Sequence, residues 1–114
     1  MAVISRVVFA DASLKQAFDL LRTGTSEERR LHEWLCQAFL ALRENAFAGK
    51  QVPKRLIPKR YRTEYGATNL WKYNLPGAWR LIYTVKGSEV EVLSVILEWL
   101  PHKEYEKRFG YRIG

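Results

Sequence analysis

The apolar positions change period several times along the chain, and each change marks an element. Residues 3–10, VISRVVFA, are short and β-branched and predict a strand. Leu14, Ala17, Phe18 and Leu21 then fall at helical spacing. Asp11 or Ser13 offers the N-cap, Ser13 and Gln16 have capping-box spacing, and Gly24 is a suitable stop. A second helix is predicted from Thr25, with Glu28 as its capping-box partner. Its stripe is Leu31, Trp34, Leu35, Ala38, Phe39 and Leu42, and Gly49 closes the region. Almost nothing joins the two helices, which predicts an antiparallel hairpin.

After a polar stretch with Pro53 and Pro58, alternation returns and predicts three strands, over 69–75, 78–86 and 90–99. Pro76-Gly77 and the KGSE of 86–89 are the turns between them. In the second strand Trp79, Leu81, Tyr83 and Val85 share one face, and Arg80, Ile82 and Thr84 the other. The third is apolar on both faces and is expected at the centre of a sheet. A last short helix should begin at Pro101 and end at Gly110. His102, Tyr105 and Phe109 fall on one face of it, with Lys103, Lys107 and Arg108 on its flank. Phe109 is placed to dock that helix. The order β-α-α-β-β-β plus a short C-terminal helix predicts one α+β domain over 1–114. Its expected form is a helical hairpin packed on one face of a small antiparallel sheet.

Composition adds three constraints. A chain of 114 residues with 47% hydrophobic side chains can build a core without staples. The single cysteine, Cys36, excludes an intrachain disulfide framework and any multi-cysteine metal site, and it reads as structural. No apolar run is long enough to span a bilayer, and no charged leader precedes the short N-terminal apolar run, so a cytoplasmic protein is expected.

Charge then points to a partner class. The net charge is +7 and the sequence pI near 9.8, which draws polyanions. The cations cluster: residues 50–63 hold Lys50, Lys54, Arg55, Lys59, Arg60 and Arg62 with no acid. A loop of this kind binds backbone phosphates, which give affinity without sequence specificity. His32, beside the helical stripe, reads as a surface or core-edge residue. The four tryptophans, Trp34, Trp71, Trp79 and Trp99, fit packing better than base stacking.

The segments NLWKYNLPGAWRLIYTV and VILEWLPHKEYEKRFGY, in this order of elements, resemble the RelE/ParE superfamily of type II toxin–antitoxin systems. WRLIYTV is similar to the arginine-bearing central strand of those toxins. The His-Lys-x-Tyr tail resembles the C-terminal active-site segment of the RelE-like branch. The resemblance covers essentially the whole chain. It implies an endoribonuclease that cuts mRNA on the ribosome and inhibits translation. It also implies a cognate acidic antitoxin that neutralises the enzyme in a hetero-oligomer.

Such cleavage uses the RNA 2′-hydroxyl as nucleophile and needs no metal or cofactor. It requires a proton acceptor, a proton donor and cations at the phosphate. Arg80, an arginine in an otherwise apolar strand, is the candidate for gripping the phosphate. His102 is the candidate for moving a proton near neutral pH. Tyr105 is a candidate acid, base or stacking platform, with Tyr111 second for the same roles. Lys72 lies on the strand next to Arg80 and offers a second cation. Lys54, Arg55, Lys59, Arg60, Arg62, Lys103, Lys107 and Arg108 are expected along the RNA backbone. Two other functions remain open from the residues: a ParE-like inhibitor of DNA gyrase, and a basic RNA-binding module without enzymatic activity.

Overall fold

The computed structural model describes residues 3–110, so Tyr111 lies outside the described residues. Strand β1 (Ile4–Phe9) leads into helices α1 (Ala12–Leu21) and α2 (Ser26–Glu44). A two-residue strand β2 (Lys50–Gln51), a 3-10 turn (Lys54–Leu56) and helix α3 (Lys59–Tyr65) follow. The chain then forms β3 (Trp71–Asn74), a second 3-10 turn (Pro76–Ala78), β4 (Arg80–Gly87), β5 (Glu91–Leu100) and α4 (His102–Phe109). No helix among the described residues is long and apolar enough to cross a membrane.

The helical hairpin forms, with Asp11 rather than a Ser13–Gln16 capping box starting α1. The Asp11 carboxylate accepts from the Leu14 amide at 2.8 Å and from the Ser13 hydroxyl at 2.9 Å, so Asp11 is the cap and Ser13 supports it. Thr25 and Glu28 close the capping box of α2, each side chain satisfying the other's amide.

The architecture is α+β, but the sheet is mixed rather than antiparallel. Its order is β1-β5-β4-β3-β2, and β1 runs parallel to β5, from Ile4 opposite Glu91 to Phe9 opposite Ile96. The other pairs are antiparallel. Tight turns set the direction of strands that are neighbours in sequence; β1 meets β5 from the far end of the chain, where no turn speaks.

The expectation of a bare basic loop is also corrected. Lys50 and Gln51 pair with Lys72 and Trp71, adding a fifth strand. Pro58 caps α3, whose end is a left-handed Gly66 (φ 64°). Pro58 before this run of seven residues and Gly66 after it are ordinary helix start and stop signals. The buried Tyr61 gives this short helix its anchor.

The sheet is covered on both faces. On one, Leu31, Leu35, Ala38 and Leu42 of α2 pack on Leu81, Tyr83 and Ile96. On the other, Tyr61 of α3 and Tyr105 and Phe109 of α4 pack with Val52, Leu70, Ile82, Leu97 and Leu100. So the hairpin lies on one face as expected, and α3 and α4 build a second layer. An irregularity between β4 and β5 helps: Ile82 faces Glu98 while Tyr83 faces Ile96, leaving Leu97 as the extra residue. Leu97 joins the α3–α4 layer, and Ile96 the α2 layer.

Candidate active site and nucleic-acid interface

Arg80 opens β4, opposite Leu100 at the end of β5 and Asn74 at the end of β3. Alternation sends it to the same face as Ile82, toward α4. Lys72 pairs with Ile82 across β3 and β4, so it shares that face one step inward. Pro101 then turns the chain into α4, and one turn later Tyr105 lies fully buried over this corner of the sheet.

The result is a convergence on one ring. Lys72 Nζ lies 5.2 Å from the centroid of Tyr105, and Arg80 Cζ lies 5.6 Å from it. Cations over the face of an aromatic ring are attracted by its quadrupole, so a single phenol holds two positive groups that would otherwise repel. Arg80 is half-buried; its Nη1 donates to the Trp79 carbonyl at 3.2 Å, and its Nε is buried without a hydrogen-bond partner. Lys72 is only 5% exposed. Burial first, and then the charges of Arg80 and Lys50, hold its pKa below the usual lysine range. Burial pushes the Tyr105 phenol up to about 12, although Arg80 pulls the other way. Tyr105 is therefore neutral across the physiological range, and its hydroxyl is buried without a hydrogen-bond partner.

His102 stands at the start of α4, about half exposed. Its Nε2 meets Glu106 Oε1 one turn on, and its Nδ1 is buried without a partner. Glu106 thus orients the ring, a pairing visible in the sequence only as an i, i+4 spacing.

The expected backbone cations divide into exposed and committed groups. Lys54, Arg55, Lys59, Arg60, Arg62, Lys103 and Lys107 are exposed. Arg60 and Lys107 border a shallow groove between α3 and α4, with Pro58, Glu104 and Arg108. Lys54 and Arg62 border a second one beside Gly66 and Thr68, where Arg62 Nη2 donates to the Lys54 carbonyl at 3.1 Å. Acids temper this surface: Arg60 lies 3.6 Å from Glu64, and Lys107 lies 3.9 Å from Glu104.

Arg108 differs from these. Its Nη1 reaches Glu98 Oε1 at 2.5 Å, with both side chains less than one-fifth exposed. The Tyr61 hydroxyl sits beside this pair; burial first, and then Glu98, push its pKa upward. The guanidinium stays charged because Tyr61 and Glu98 outweigh the opposing effect of burial. Arg108 therefore ties α4 to β5. Glu98, an acid between Leu97 and Trp99 in the apolar half of β5, is the sequence signal for this anchor.

His32 stacks on Phe18 with ring centroids 4.4 Å apart, and its Nδ1 lies 3.7 Å from Cys36 Sγ. Burial first, then Glu33, raises the pKa of the Cys36 thiol, which disfavours the reactive thiolate. Compared with family models, with curated proteins and with solved structures, the chain has no match.

Proposed function

We propose that this chain is the toxin of a type II toxin–antitoxin system, a RelE-like endoribonuclease that cleaves mRNA through its own 2′-hydroxyl and so inhibits translation. The observation that carries the reading is the meeting of Lys72 and Arg80 on the ring of Tyr105, on the same short helix as His102. Arg80 and Lys72 hold the scissile phosphate and stabilise the charge that builds on it. Their low exposure strengthens them, because charges act further in a water-poor site. Tyr105 serves as a neutral platform that aims both cations. His102, oriented by Glu106, is the group that takes or returns a proton. The exposed cations of 54–62, with Lys103 and Lys107, bind flanking phosphates on mRNA or the ribosome, and the same surface attracts an acidic antitoxin in a salt-dependent complex.

A second reading is favoured by one observation. Tyr105 is fully buried and His102 is paired with Glu106, as in a basic module that binds RNA without cutting it. The test is mRNA cleavage on expression of wild type, Arg80→Gln and His102→Ala. Losing a phosphate cation or a proton-transfer group should each slow cleavage by about 10²-fold or more, with circular dichroism unchanged. Cleavage at the wild-type rate by Arg80→Gln sinks the proposal. Intact mRNA with salt-dependent RNA binding by the wild type selects the non-enzymatic module. Intact mRNA with a DNA-damage response selects a gyrase inhibitor.

A further inference from the structure

On the sheet face away from Arg80, the end of α1, the start of α2 and the turn before β4 leave a cleft of about 390 Å³. Three of the chain's four tryptophans line it: Trp34 of α2, Trp79 before β4, and Trp99 near the end of β5. Each is half-buried, so part of each indole faces the opening. Gly77, at φ 70°, brings the turn flush against Trp34; a Cβ there would stand 3.1 Å from the indole. The volume is that of a small-ligand site. All three pack against the core beneath α2 and leave their remaining surface on one hollow, where it forms an apolar patch.

The mouth carries charge of both signs. Glu28 is committed to the capping box of α2. Glu27 and Arg30 also line the cleft, and among the described residues neither forms an ion pair, although they stand three apart on one helix. Indole is the strongest side-chain partner for an organic cation. A carboxylate beside it neutralises that cation, and a guanidinium grips a carboxylate in a planar fork.

We propose that this cleft binds a small zwitterion of the betaine type, with its alkylammonium end among Trp34, Trp79 and Trp99 beside Glu27 and its carboxylate on Arg30. The site is independent of the ribonuclease reading, since it shares no side chain with Arg80, Lys72, Tyr105 or His102.

The experiment is a titration of the full chain, followed by tryptophan fluorescence and by calorimetry, with three probes. Glycine betaine carries both charges. 3,3-Dimethylbutanoate is its carbon isostere and lacks only the cation, while choline keeps the cation and lacks the carboxylate. Betaine should bind saturably, and the other two about tenfold more weakly. Glu27→Gln should reduce the preference over dimethylbutanoate to the part the indoles supply, and Arg30→Gln should erase the preference over choline. Both positions are on the surface, so both variants should melt as the wild type does. Dimethylbutanoate or choline binding as tightly as betaine overturns the proposal, as does no saturable binding of betaine.

Discussion

Replacing Phe109 by Ala tests whether α4 is held as described. The ring is 8% exposed, stacked on Tyr105 at 4.6 Å and 18°, and tilted against Tyr61 at 5.5 Å and 31°. Full burial of a phenylalanine contributes roughly 1.5–3 kcal/mol. Each aromatic pair adds about 0.5–1.5 kcal/mol, and core Phe→Ala changes cost about 3–5 kcal/mol. The upper end is out of reach here, because α4 has eight residues and can lift off by itself, which caps the loss at its own docking energy. The expected loss is about 3 kcal/mol, or about 12 °C in Tm for a chain of this size. Urea unfolding gives the global value. Hydrogen exchange gives the local one, read at Tyr105 and Gly110, whose amides bond to the Pro101 and Glu106 carbonyls at 3.0 and 2.7 Å. Those amides should lose protection well before the amides of β4 and β5. Phe109→Leu should recover more than half of the loss. A loss under about 1 kcal/mol, with α4 still protected, would show that Phe109 does not anchor the helix and would refute the reasoning.

Two further outcomes follow from single residues. Burial raises the pKa of Tyr61, and pushes Tyr83 and Tyr105 up to about 12 from an ordinary 10. Unfolded phenols ionise first, so the stability these groups contribute is complete below pH 10 and is lost as pH rises toward 12; tyrosinate absorbance should rise together with loss of the fold, and all six tyrosines titrating near pH 10 in a folded chain would contradict this. Ala78 sits at φ 62°, in the left-handed region, which costs an L-residue about 1–2 kcal/mol; Ala78→Gly relieves that, gives back about 0.5–1 kcal/mol in chain entropy, and should raise Tm by a few degrees, whereas a lower Tm would mean that the methyl group packs.

The local elements were legible in the sequence because their causes lie within a few residues. Thr25 finds Glu28 three residues on, Pro101 and Gly110 bracket α4, and alternation along 78–86 already put Arg80 on the face away from Trp79. The tertiary structure then sets the Tyr105 ring centroid 5.6 Å from the Arg80 guanidinium carbon on that side. What sequence could not show was set by residues far apart. The parallel seat of β1 beside β5 joins the two ends of the chain, and no turn records its direction. The basic stretch reads as a loop by its charge, yet Tyr61 becomes the centre of a buried layer once α4 brings Phe109 and Tyr105 against it. Glu98 and Arg108, ten residues apart, look like one surface acid and one RNA-binding cation until β5 and α4 fold face to face and make them a clamp. Caps, periods and turns act along the chain; burial and ion pairing act through space, and only the packed structure says which distant groups share the same few ångströms.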